Sequence, residues 1–274
     1  MDRTVLPVAR RILRKSEMAF FQSFVLVVVG LAFEARIAGT SRGTTICCRR
    51  GDEAAHAMGR ALDDPNCRGV ISFGIAGGLD HRLPTGSHLV ASHVITAEGA
   101  IETDAAWSRR LLNSCDRALH VPILGTDYVV LDPQEKRRLF ASTGAAAVDT
   151  ESHIAATMAR ERGLPFTCLR IVADPAHRRV PKAAMSGLRE DGRAYPAGVV
   201  RALLRRPHET PALLAIARDT WKARRALASA LLLAGEHAGF PPLFQTAVLR
   251  KAQDELPPPK LAAAPREGEQ PCWP

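Results

Sequence analysis

Three acidic side chains, Glu34, Glu151 and Asp174, stand where an α/β chain can put carboxylates to chemical use. Glu34 lies in Gly30-Leu31-Ala32-Phe33-Glu34, just past the apolar run 25–29. Glu151 lies in Val148-Asp149-Thr150-Glu151-Ser152-His153, and Asp174 in Arg170-Ile171-Val172-Ala173-Asp174-Pro175. Earlier in the chain, Gly74-Ile75-Ala76-Gly77-Gly78 offers backbone that a ligand can approach without meeting large side chains. Carboxyls that divide acid and base roles, in a site where negative charge favours a cationic sugar, are what glycosidic cleavage needs. The expected chemistry is therefore rupture of a nucleoside's N-glycosidic bond. Asp174 would protonate the departing purine, which leaves poorly as an anion, and Glu151 would accept hydrogen bonds from ribose hydroxyls.

Each residue also has a structural reading. Glu151 in the first turn of a helix would stabilise the positive end of the helix dipole, and Asp174 before a proline would cap the next helix. The glycine segment would be a tight strand-to-helix turn; its spacing fits neither a dinucleotide fingerprint nor a P-loop. Arg170 precedes Asp174 by four residues, on the same face of a strand, and is expected to contact a sugar or an incoming anion. The histidines show no metal-ligand spacing and no G-x-S-x-G is present, so neither a metal nor a serine nucleophile is expected.

The elements that carry these residues follow from the apolar pattern. Residues 25–29, 69–73, 89–95, 121–124 and 166–172 read as strands, several apolar throughout as strands buried on both faces are, and 145–148 leads into Asp149. Residues 52–62, 104–112, 133–140 and 149–162 read as helices, the last capped by Asp149. This alternation predicts a single α/β domain with a central twisted mixed β-sheet flanked by helices, in which ligands bind beyond the carboxyl ends of strands. The catalytic domain is expected over residues 24–235. A long helix from Thr210 to about Leu233 is predicted to bury Leu213, Leu214, Ala217, Trp221, Ala228 and Leu231. Residues 1–23 read as a basic arm, with Met18 as an alternative start, and 236–274 as a proline-rich disordered tail.

With 274 residues, 46% of them hydrophobic, the chain has enough apolar material for one sizeable core. The net charge of +9 favours anionic partners, but with only 5% aromatic residues and no binding module, nucleic acid is not an expected partner. The six cysteines form no CxxC pair, which points to reduced thiols and a cytoplasmic setting. His177-Arg178-Arg179 and the run 201–206 read as solvated basic faces, with peripheral contact at a membrane surface as the alternative.

Taken together, the segments Gly30 to Glu34, Gly74 to Leu79, Asp149 to Ser152 and Arg170 to Asp174 resemble the nucleoside phosphorylase and nucleosidase superfamily, above all methylthioadenosine/adenosylhomocysteine nucleosidases. The likeness covers about residues 24–205. It implies that Glu34 activates water, Glu151 binds ribose, Arg170 lies on the sugar side and Asp174 is the purine acid. It also implies that Ala76, Gly77, Gly78 and Thr150 line the substrate. Thr150 stands where the family usually has methionine, and Ala173 where serine often precedes the aspartate. More narrowly, Gly30 to Ala38, Asp174-Pro175-Ala176 and Leu203 to Pro207 look like the hopanoid-associated phosphorylases, which implies adenine release from adenosylhopane, a lipid-linked nucleoside, near the inner membrane. The resemblance further implies a homo-oligomer and no cofactor, with phosphate as a co-substrate if the reaction is phosphorolytic. Glu34 stands where phosphate-using relatives tend to carry arginine, which favours water. A noncatalytic nucleoside-binding scaffold is the alternative outside enzymes.

Overall fold

The computed structural model describes residues 23–39, 44–47, 52–115, 117–187 and 195–240. The basic arm up to residue 22 and the proline-rich segment from 241 onward lie outside the described residues.

Strand β1 (Phe24–Val29) shows how the sequence builds the layers. Its residues alternate between two cores: Leu26 and Val28 enter one, Val25, Val27 and Val29 the other. A strand with both faces covered has no polar side, which is why the run reads as continuous valine and leucine. Strands β3 (Cys67–Gly78) and β8 (Phe166–Asp174) divide in the same way. Val70, Ala76, Phe166, Cys168 and Val172 face one core, while Ile71, Phe73, Leu169, Ile171 and Ala173 face the other. The first core is closed by Met58 and Leu62 of α2 (Asp52–Leu62) and by Ala155, Ala156 and Ala159 of α5 (Ser152–Glu161). The second is closed by Ala38 of α1 (Ala32–Ala38), Trp107 and Leu111 of α3 (Ala105–Ser114), and Ala223, Leu227, Ala230 and Leu231 of α8 (Thr210–Ala234).

The remaining strands are β2 (Thr44–Cys47), β4 (His88–Thr96), β5 (Gly99–Glu102), β6 (Leu119–Gly125) and β7 (Ala147–Asp149). The eight-stranded sheet runs β2-β1-β3-β7-β6-β4-β5, and β8 pairs with both β3 and β4. It is mixed as expected: β3 and β8 are parallel, whereas β3–β7 and β4–β8 are antiparallel. Helix α4 (Pro133–Thr143) is bounded by Asp132, whose side chain accepts from the Gln134 amide, and by Gly144 in the left-handed region at φ 69°. These are the usual start and stop devices, with proline at the first helical position. Short α6 (Lys182–Met185) and α7 (Pro196–Arg205) precede α8.

Three expectations are corrected. The glycine segment is not a turn, because β3 continues through Gly78. Its backbone pairs with β8 as far as Gly77↔Asp174, then with β7 through Gly77↔Val148 and Gly78↔Ala147, so ladder partners hold it extended. The buried face of α8 is Asp219, Ala223, Leu227, Ala230 and Leu231, whereas Leu214, Ala217 and Trp221 point to solvent. Apolar residues recur on both sides of this helix, so their spacing alone did not fix which side packs. Residues 238–240 are packed where a tail was expected: the Trp107 indole N–H donates to the Ala238 carbonyl at 2.9 Å, and Phe240 meets the Trp107 ring edge-on at 4.7 Å. Strands β2 and β5 and helix α7 went unread.

Trp107 is fully buried at this junction. Trp107→Ala should cost about 3–5 kcal/mol in chemical denaturation, and Trp107→Phe, which mainly loses the indole hydrogen bond, about 1 kcal/mol.

Candidate active site

The site grows from the carboxyl-terminal half of β3 and the elements that meet it there. Glu34 is the third residue of α1, where a carboxylate can reach back over the helix start. Its Oε2 accepts from the amides of Gly30 at 3.0 Å and Leu31 at 2.8 Å, and its Oε1 accepts from the Ile75 amide of β3 at 2.7 Å. The side chain is buried, and burial together with the nearby Glu151 pushes its pKa up to about 7, against the pull of Arg170 and the backbone donors. A carboxyl poised there exchanges protons readily near neutral pH.

Arg170 organises the other acids. It is fully buried on β8. Its Nε donates to Asp149 Oδ2 at 2.8 Å and its Nη2 to Ser72 Oγ at 2.7 Å, with Glu151 Oε2 at 3.7 Å. Its Nη1 has no hydrogen-bond partner among the described residues and lies against the Gly74 backbone opposite Glu34. The expectation that Arg170 faces a sugar or an anion is therefore revised: two of its nitrogens are committed to the protein, leaving Nη1 alone.

Asp149 serves two partners. Besides Arg170, it accepts from the amides of Glu151 at 2.9 Å and Ser152 at 2.7 Å, capping the start of α5 as expected. Burial opposes its ionisation, but Arg170 holds its carboxyl below the usual range. The helix proper begins at Ser152, so Glu151 lies just outside it. Its carboxyl, raised mainly by burial, accepts from the Thr150 hydroxyl and lies over Gly30. A methyl group at Gly30 would sit 2.3 Å from Glu151 Oε1, so any larger residue there displaces the Glu151 carboxyl.

Asp174 ends β8 with its carboxyl beside Gly77. Burial raises its pKa, opposed by Lys136, whose ammonium pairs with Oδ2. Ile75, which binds Glu34, and Gly77, which Asp174 overlies, are two positions apart on β3. At ~3.3 Å per residue, the two acids attach about 7 Å apart along β3. Gly77 is partly exposed, and so is Thr150. Ala76 and Gly78, expected beside the substrate, are buried instead: Ala76 belongs to the core, and Gly78 is packed against Val172 and Pro175.

The sequence reading missed Lys136, Ser72 and the second partner of Asp149. Lys136 was detectable in principle, because it shares a helical face with the half-buried Leu139, Phe140 and Thr143 of α4. Among the described residues, no three metal-ligating side chains converge.

A mixed α/β sheet with buried carboxylates gathered beside one strand is a candidate site for acid–base chemistry. The chain belongs to the phosphorylase superfamily, which it matches over residues 39–205, and is thus an enzyme of the class that breaks N-glycosidic bonds. A search of the curated proteins finds no match. Several solved structures share the fold. The methylthioadenosine/adenosylhomocysteine nucleosidase of Colwellia psychrerythraea, in complex with adenine, is 15% identical at a TM-score of 0.58, over 79% of this chain and 95% of its own. The futalosine hydrolase of Helicobacter pylori is 15% identical at 0.56, over 78% and 97%. The Streptococcus pneumoniae nucleosidase with 8-aminoadenine is 14% identical at 0.57, over 77% and 97%.

Two outcomes test this geometry. Gly74→Ala would place a methyl group 2.5 Å from Glu34 Oε1 and 2.7 Å from Arg170 Nη1, and should cost about 1–3 kcal/mol while displacing Glu34. Because the Glu34 pKa is raised from 4.5 to about 7, its contribution to stability is fully present below 4.5 and declines as pH climbs through 7. Relative to Glu34→Gln, the wild-type protein should lose on the order of 3 kcal/mol across that window in urea denaturation.

Proposed function

We propose that this enzyme hydrolyses the N-glycosidic bond of an adenine nucleoside. The observation that carries the reading is the spacing of Glu34 and Asp174 along β3, each in its own electrostatic setting. Asp174, with its raised pKa, gives a proton to the purine as the bond to the sugar lengthens. Glu151 binds the ribose hydroxyls and its charge favours the cationic sugar, with Thr150 fixing its orientation. Glu34, ionised, takes a proton from water as the oxygen attacks the anomeric carbon. Gly77 forms the floor between them.

Water is favoured over phosphate because most of Arg170 is spent on Asp149 and Ser72, and a Glu34 carboxylate would repel a phosphate brought beside it. The structural relatives, nucleosidases and a hydrolase, agree with this.

The substrate we assign is adenosylhopane. Beyond the resemblance, the surface of α7 and α8 supports a lipid-linked nucleoside. Val200, Leu204, Leu214, Trp221 and Leu232 are exposed there among Arg201, Arg205, Arg218, Lys222 and Arg225. Such a surface suits an anionic membrane face. No helix among the described residues is long and apolar enough to cross a membrane. Exposed Leu119, Tyr128 and Val129 support a homo-oligomer, which sedimentation would read directly.

The test is release of free adenine from adenosine, methylthioadenosine, adenosylhomocysteine and adenosylhopane, with and without phosphate. Adenine release in phosphate-free buffer is expected. Asp174→Asn and Glu34→Gln should each lower kcat roughly 100-fold or more. Strict dependence on phosphate overturns the hydrolytic reading, preference for a thioether nucleoside overturns the lipid substrate, and nucleoside binding without turnover marks a noncatalytic binder.

A further inference from the structure

Resting on the assignment of Asp174 as the purine acid, we propose that Lys136 is a positioning residue for it: the ammonium pins one carboxyl oxygen and the chain around it, leaving the other oxygen to deliver the proton. The observations are geometric. Lys136 projects from α4 to the end of β8 and its side chain is fully buried, while that of Asp174 is 20% exposed. Its Nζ donates to Asp174 Oδ2 and also approaches the carbonyls of Asp174 at 3.2 Å, Pro175 at 3.3 Å and Arg178 at 3.4 Å. These contacts fix both the carboxylate and the backbone turn that follows it. The ammonium holds Oδ2, and the carboxyl as a whole keeps some exposure beside Gly77, so Oδ1 is the oxygen to which we assign the proton.

A buried ammonium is expensive to desolvate, and its net contribution to stability over an apolar side chain of similar size is often nil. A lysine here therefore calls for a role that an apolar residue would not fill. Proton delivery supplies one. The proton leaves Asp174 Oδ1 for the base nitrogen while the electron pair of the glycosidic bond passes to the base. The carboxylate left behind carries a full negative charge next to the Lys136 ammonium, which offsets it. The other charged groups facing Asp174 are Asp219 of α8, which opposes that ionisation, and Arg178, which ties Asp219 down at 3.0 Å.

Lys136→Met and Lys136→Arg, assayed with the adenine nucleoside that the wild-type enzyme turns over, separate this role from plain structural support. Removing the ammonium should lower kcat roughly ten- to hundredfold with little change in KM. The alkaline limb of the kcat profile, where Asp174 loses its proton, should move up by about one pH unit or more, because the charge that favoured ionisation is gone. Lys136→Arg should return that limb towards its wild-type position. A folded Lys136→Met enzyme with wild-type kcat and an unmoved limb overturns the proposal. If the variants do not fold, NMR of the wild-type protein decides: the Lys136 ¹⁵Nζ signal should shift as the Asp174 ¹³Cγ signal, assigned through Asp174→Asn, titrates. An ammonium signal indifferent to that titration also overturns it. Failure of the underlying assignment looks different, since the wild-type enzyme would then release no base, or Asp174→Asn would remain active.

Discussion

The interaction on which the rest depends is the burial of one guanidinium among acids. Without Arg170, the protein would enclose Asp149, Glu151 and Glu34 with no cation to balance them, a state far more costly than any single hydrogen bond can offset. With it, Asp149 stays ionised and capable of capping α5, which in turn holds Glu151 outside the helix and over Gly30. The same side chain reaches Ser72 on β3. Strands β3, β7 and β8 and the start of α5 are thus tied together through one planar cation whose several donors point in fixed directions.

Charge is divided along β3 into two compartments. The first holds Arg170 with its acids and the amides that Glu34 receives; there the balance of burial, neighbouring charge and backbone donors leaves Glu34 near neutrality in its titration. The second holds Asp174 with Lys136, separated from the first by the short stretch from Ile75 to Gly77. Two carboxyls in one shared environment would compete for a proton and titrate as a pair. Separate counter-ions let the two carboxyls titrate apart, each adjusted by its own neighbours.

Much of this was readable from residue order, and the reasons it was not all readable are physical. Runs such as Phe24–Val29 announced strands buried on both faces because every position is apolar. Glu34, Glu151 and Asp174 could be singled out because each ends or follows such a run, and the structure buries Glu34 and Glu151, and most of Asp174, beside β3 or its neighbours. The glycine segment misled, since glycine marks both turns and close approach, and only the partners β8 and β7 reveal that the chain stays extended. Arg170 misled for a similar reason: a sequence shows that a guanidinium is present but not that Asp149, twenty-one residues earlier, already occupies it. In α8, apolar residues lie on more than one side, so packing against the sheet, invisible in one dimension, decides that Ala223 and Leu227 are inside and Trp221 outside.

The glycine-bearing stretch of β3 has a further consequence because it is laddered along its length, to β8 as far as Gly77 and to β7 from Gly77 onward. Floors made of loop gain their shape when a ligand arrives and lose conformational entropy in doing so. A floor made of sheet has already lost that freedom when the chain folds, so the separation of its flanking acids is the same before and after occupancy. The segments that border this stretch can then vary in length and composition while the two carboxyls keep their places.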